Sequence, residues 1–238
     1  MKRALFLLFL AAAVAAGGLF GQPPPAKAVR QFRVITTVKS IRDLKCDLDN
    51  RKACALDIRS TLSQPLPMPA SGPLVIYREI APPPGSPPGT KPVRKTVATL
   101  TFPSQLTQAI VVIIAKPDQT YQTRVFADDA KTHPAGSLRV FNLSGMQAAL
   151  SLGEKVYDIA SGRTALAPYR PGPVLVQVAA QKGAAWKIAF RKGRIARDGL
   201  RVHLFIFDYE PDPALDDRPP PPVLVRFYTE NAPAAPAG

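Results

Sequence analysis

The sequence predicts an all-β protein: tandem β-sandwich domains of immunoglobulin-like type after an N-terminal signal peptide, with one larger β-sandwich or barrel as the alternative. Three observations predict it. Short runs of alternating apolar and polar residues recur along the chain, separated by Pro, Gly, Asp or Ser. No window keeps a helical period beyond about two turns. The 27 prolines cluster between the runs instead of interrupting them, as expected of a residue that cannot donate to a sheet ladder.

Taken in order, the chain starts with Met1, Lys2 and Arg3, an apolar run over 4–16, and a glycine-rich stretch over 17–22. The small residues in that last stretch are Gly17, Gly18 and Gly21, and the layout is that of a secretory signal peptide over 1–21. The apolar stretch is short for a membrane-spanning helix, which needs ~20 residues. A Pro-rich arm, 22–28, follows. The first sandwich is expected over 29–129, with strands at 32–38, 74–80, 96–102, 109–115 and 121–126. The run at 109–115 is apolar on both faces and so reads as a central, buried strand. The stretch 82–92, rich in Pro and Gly, reads as a stiff loop.

A polar segment, 130–136, reads as the linker, with His133 solvated beside Pro134. The second sandwich is expected over 137–230, with strands at 137–144, 174–180, 186–190, 200–209 and 223–228. A short helical turn is expected at 145–152. Trp186, Ile188 and Phe190 alternate with Lys187 and Arg191, so the aromatic and aliphatic set is expected in the core. A second Pro-rich loop at 211–222 and an Ala/Pro tail at 231–238 complete the chain. No internal sequence repeat is strong enough to indicate duplication.

Cys46 and Cys54 are an even count in a chain with an export signal, so a structural disulfide is expected between them. The spacing is not that of a redox-active pair.

The run 126–129, then 134–137 and 139–144, resembles one found in exported bacterial β-sandwich proteins. There too a Leu-Ala-Pro (here Leu166, Ala167, Pro168) precedes a strand pair carrying Trp-Lys (here Trp186, Lys187). The similarity covers roughly residues 70–210. It implies export and β architecture, and brings no catalytic residue or cofactor with it.

Charge narrows the partners. The chain carries 31 Lys+Arg against 17 Asp+Glu, a formal net charge of +14. Loss of Lys2 and Arg3 with the leader lowers that to +12. Such a balance suits nucleic acid in the cytosol, but an exported chain makes nucleic acid an unlikely partner. An anionic envelope polymer, a lipid surface or another envelope protein is the expected class. Solubility alone is the bland explanation.

Motifs for chemistry are few. The two histidines, His133 and His203, stand far apart without a second His or Cys at ligand spacing, so no metal site is expected. No nucleophile elbow or zinc-protease motif occurs. Thus no catalytic residue, cofactor or metal is assigned. The candidate binding feature is a basic hairpin carrying Lys187, Arg191, Lys192, Arg194 and Arg197, with a turn over 191–194. The rival explanation is an edge strand protected by its charges.

The expected function is an exported, non-enzymatic binding or structural protein of the cell envelope, periplasmic or extracellular. A chaperone-like module that uses a sheet edge comes second. A hydrolase with a site between the domains comes third.

Overall fold

The computed structural model describes residues 29–38, 40–48, 53–116, 120–209 and 220–232. The expected signal peptide and Pro-rich arm lie outside the described residues. So do 49–52, most of the second Pro-rich loop, and the tail beyond Ala232.

The first eight strands are β1 (Gln31–Thr36), β2 (Ser40–Asp47), β3 (Ala53–Arg59), β4 (Leu66–Pro67), β5 (Leu74–Ile80), β6 (Val93–Leu100), β7 (Gln108–Ala115) and β8 (Tyr121–Ala127). The next eight are β9 (Ser137–Asn142), β10 (Ala148–Leu152), β11 (Lys155–Ile159), β12 (Thr164–Pro168), β13 (Gly172–Lys182), β14 (Ala185–Ala196), β15 (Leu200–Asp208) and β16 (Val223–Asn231). They form four open sheets of four strands: β4-β1-β7-β8, β3-β2-β5-β6, β12-β9-β15-β16 and β11-β10-β13-β14. Among the described residues no helix occurs.

Period-two alternation places the sheets in four layers. On β1, Phe32 and Val34 point into a first core, with Val111 and Ile113 of β7 and residues of β2, β3, β5 and β6. Leu138, Val140, Val202 and Leu204 likewise join β10 and β13 in a second core. The other faces of the two inner sheets meet each other. Ile35, Ile110 and Val112 pack there against Phe141, Phe205 and Phe207. The inner sheets are therefore buried on both sides, which is why β7 and β15 are near-continuous apolar runs. Burying each such side chain contributes roughly 1.5–3 kcal/mol.

The same path is traced twice. β1 runs parallel to β7 and antiparallel to β4, and β9 runs parallel to β15 and antiparallel to β12. β8 and β16 close the same edge of each inner sheet. Every ladder joins strands within 31–127 or within 137–231.

Three local expectations are corrected. The segment expected to hold a helical turn is largely strand: β10 pairs with both β11 and β13. The turn expected over 191–194 lies within β14, and the chain reverses at Gly183 and Ala184. Gly183 has φ +64°, a conformation that favours glycine. Finally, Trp186 and Ile188 are 45% and 55% exposed. The cause is a bulge. Val178 faces Phe190, but Ala179 faces Ile188, leaving Ala189 as the extra residue. An inserted residue reverses the alternation. Phe190 stays half-buried against Phe227, while Trp186 and Ile188 turn outward.

Candidate functional site

Two regions concentrate chemistry: a buried polar cluster between the inner sheets and the outward face of the β13–β14 hairpin.

The cluster is assembled by register. Asp128 follows β8, and its amide donates to the Gln108 carbonyl. The chain then turns sharply, with the Asp129 carboxylate accepting from the Thr132 amide at 2.9 Å. The His133 amide donates back to the Asp129 carbonyl at 2.9 Å. This turn carries the His133 ring inward, beside His203 on β15. Both rings are fully buried, as is Asp128. The expectation of a solvated His133 is thereby overturned, and with it the separation of the two histidines. His133 Nδ1 lies 3.1 Å from His203 Nε2 and 3.3 Å from Asp128 Oδ1. His203 Nε2 lies 3.0 Å from the same Oδ1.

Around these three sits a ring of charge. Arg33 of β1 donates to Asp128 Oδ2 at 2.5 Å and to both carboxylate oxygens of Glu230 on β16. Arg201 donates to the Asp128 and His133 carbonyls at 3.0 and 3.3 Å and to Glu230. Arg201 is thus buried and paired here. Burial works against the Asp128 carboxylate. The hydrogen bonds from both histidines and the charge of Arg201 outweigh it and hold the carboxyl well below the usual range. Burial likewise opposes Glu230, yet its bonds to Arg33 keep it ionised at lower pH than normal. Desolvation moves His203 the other way, below its ordinary value despite Asp128. A cavity of about 200 Å³, lined by Arg33, Gln108, Asp128 and Arg201 among others, reaches the cluster.

The hairpin keeps only part of its predicted site together. Lys187, Arg191 and Lys192 are exposed on β14, and Arg197 is exposed in the turn before β15. Arg194 is half-buried, its guanidinium 4.8 Å from the Phe227 ring centroid. The register puts Arg191 opposite Gln177, on the outward face shared with Trp186 and Ile188. Lys187 and Lys192 stand opposite the inward residues Ala180 and Val176, at the rim. Leu175, Ile195 and Val156 extend the outward apolar surface.

Cys46 and Cys54 face each other directly across β2 and β3. Both are free thiols in this structure, where a disulfide was expected. Burial, together with the adjacent Cys54, pushes the Cys46 thiol up to about 12. Asn142 is structural: buried, it donates to the Met146 and Ile159 carbonyls.

Little in the sequence warns of the buried cluster. Its one usable signal is that Arg201, His203, Phe205 and Phe207 alternate onto a single strand face. That face could be read, but not what lay opposite it. No protein-family model matches the chain, and comparison with curated proteins finds no relative.

Proposed function

We propose that the protein is an exported, non-enzymatic binding protein of the cell envelope, built from tandem immunoglobulin-like sandwiches. It docks on an anionic lipid surface through the β13–β14 hairpin. The observation that carries this reading is the outward position of Trp186 and Ile188 on the strand that also exposes Lys187, Arg191 and Lys192. An indole and an aliphatic side chain beside several cations suit the boundary between lipid head groups and acyl chains. Each cation near an anionic surface contributes about 1 kcal/mol. A charge-protected edge needs the cations and has no use for an exposed tryptophan. The export signal and the resemblance to exported β-proteins support the compartment.

Co-sedimentation with vesicles tests it. Binding is expected to vesicles rich in phosphatidylglycerol and not to pure phosphatidylcholine, and to weaken steeply with salt. Changing Lys187, Arg191 and Lys192 together to Gln should abolish it. Binding that survives the triple change places the site elsewhere. No binding even at low salt sinks the lipid reading.

A second reading has its own support. β14 spans twelve residues and ends its sheet, so it offers a long edge for a client strand. Proline in place of Ile195 should spoil strand addition and leave vesicle binding unchanged. For the hydrolase alternative, the carboxylates by the cavity between the halves, Asp128 and Glu230, are both held ionised by their arginine and histidine partners, so neither is poised as an acid. In a groove of about 640 Å³ across β2 and β3, the carboxylate of Asp57 is already engaged by Arg59 at 2.5 Å.

A further inference from the structure

The inner faces of the two halves match position by position. Arg33 and Arg139 occupy equivalent places on β1 and β9, as do Ile35 and Phe141. On β8 and β16, Arg124 matches Arg226 and Phe126 matches Tyr228. Asp128, opposite Gln108, matches Glu230, opposite Arg201. The match fails at the histidines. His203 stands where the first half has Ile110, and His133 belongs to the connection between halves. An aliphatic side chain therefore fills the equivalent position, and packing alone does not call for a histidine there.

Proton placement sharpens the point. The Ser137 carbonyl, 3.4 Å from His133 Nε2, can accept a proton from that nitrogen and leave Nδ1 to face the cluster. His133 Nδ1, His203 Nε2 and Asp128 Oδ1 then crowd within 3.0, 3.1 and 3.3 Å of one another. His203 Nδ1, buried, has no partner among the described residues.

We propose that Asp128 Oδ1, His133 Nδ1 and His203 Nε2 together bind one divalent transition-metal ion of the zinc class at the junction of the two halves. The three atoms form a nearly equilateral triangle with edges of 3.0, 3.1 and 3.3 Å. Ligands about 2.0–2.1 Å from a zinc ion are separated by roughly 2.8–3.0 Å in an octahedral arrangement and roughly 3.3–3.4 Å in a tetrahedral one, and the observed edges span that interval. Two imidazoles and one carboxylate favour zinc, iron, cobalt or nickel over magnesium and calcium. Two of the three ligands have outer partners: Ser137 orients His133 through its Nε2–H, and Arg33 holds the other oxygen of Asp128, while His203 is held by ring stacking instead. The charges of Arg33 and Arg201 balance those of Asp128 and Glu230, so the ion enters a site without net negative charge. Affinity is therefore expected in the micromolar range, weaker than a thiolate site. The ion would tie the first half to the second through the turn that connects them.

Calorimetric titration of the chelator-treated full chain with Zn²⁺ tests this. One equivalent should bind and raise the melting temperature, while Mg²⁺ should do neither. Co²⁺ should bind with the weak visible bands of nitrogen and oxygen ligands and no thiolate charge-transfer band. His203→Phe is the matched variant, because the ring already stacks beside Phe141 and Phe205. It should stay folded and bind zinc at least about tenfold more weakly. Failure of the wild-type chain to take up zinc overturns the proposal without any variant. A thiolate band in the cobalt spectrum assigns the ion to Cys46 and Cys54 and also overturns it, as does unchanged affinity in a folded His203→Phe protein.

Discussion

Strands β1–β8 and β9–β16 follow one path, yet the two halves differ at the same hairpin. In the first half β5 and β6 are joined by the twelve residues 81–92, rich in proline. In the second, β13 and β14 run eleven and twelve residues and turn over two. Both are the outer hairpin at one edge of the layered stack, so length and charge can change there without touching a core. The inner faces cannot vary so freely, because each contributes half of a shared interior. The comparison teaches that the chain holds its shape through the inner faces and varies at the outer hairpin.

The largest expected effect comes from breaking that shared interior. Phe205 is fully buried and stacks on Phe141 at 4.7 Å and Phe207 at 6.0 Å. Phe205→Ala should cost ~3–5 kcal/mol in urea unfolding. It should also let the halves unfold in separate steps, because the residue faces the opposite half. A loss under ~1 kcal/mol would mean the halves do not support each other.

Next comes a feature that only the first half possesses, since both cysteines lie there. Residues directly opposite in an antiparallel pair have Cα atoms about 4.5–5.5 Å apart, within the range a disulfide spans. If the protein is exported as proposed, it should be recovered oxidised, lighter by two hydrogens than its reduced form. The bridge should add ~2.5 kcal/mol by loop entropy. If it stays reduced, Cys46 should resist alkylation at pH 8, because its thiol ionises only near pH 12. Rapid modification of Cys46 would show that it is not buried as described.

A subtler asymmetry separates the matched pair Arg124 and Arg226. Arg226 donates to the carbonyls of Thr36 at 2.5 Å, Thr37 at 2.9 Å and Ser60 at 3.1 Å, all in the other half. Arg124 makes one longer bond, 3.4 Å, to the Gly162 carbonyl. Replacing Arg226 by Ala should cost ~1.5–3 kcal/mol, and replacing Arg124 under ~1 kcal/mol. Equal losses would mean that the halves press on each other symmetrically after all.

How much of this was legible differs by region. Strands with β-branched runs, such as β7, stand out because both faces are apolar. β4 and β12 do not, since each ends in proline. β2 hides behind Arg42 and Asp43, where its register with β3 slips. At the site, the single-sided pattern of β15 was readable, but the partners of His203 come from a turn 70 residues away. Beside Pro134, His133 carries no local sign of burial. It is packing between sheets that excludes water from it, and single-sequence periodicity cannot show which sheets meet.

The smallest expected effect concerns the residue whose placement changed most between sequence and structure. A core tryptophan truncated to Ala would cost ~3–5 kcal/mol. Trp186 is 45% exposed on the outward face of β14, so Trp186→Ala should cost under ~1 kcal/mol of folding, near the range of ordinary surface changes. Its vesicle binding should nevertheless fall, because the indole supplies apolar contact that the lysines and arginines do not. Stability and binding thus respond in opposite proportion to Phe205→Ala and to Trp186→Ala. A large stability loss at Trp186 would place the ring in a core and remove the bulge at Ala189 from the argument. An unchanged stability with unchanged binding would leave the hairpin as a charged edge. In that case the longer outer strands of the second half would carry no lipid-binding role.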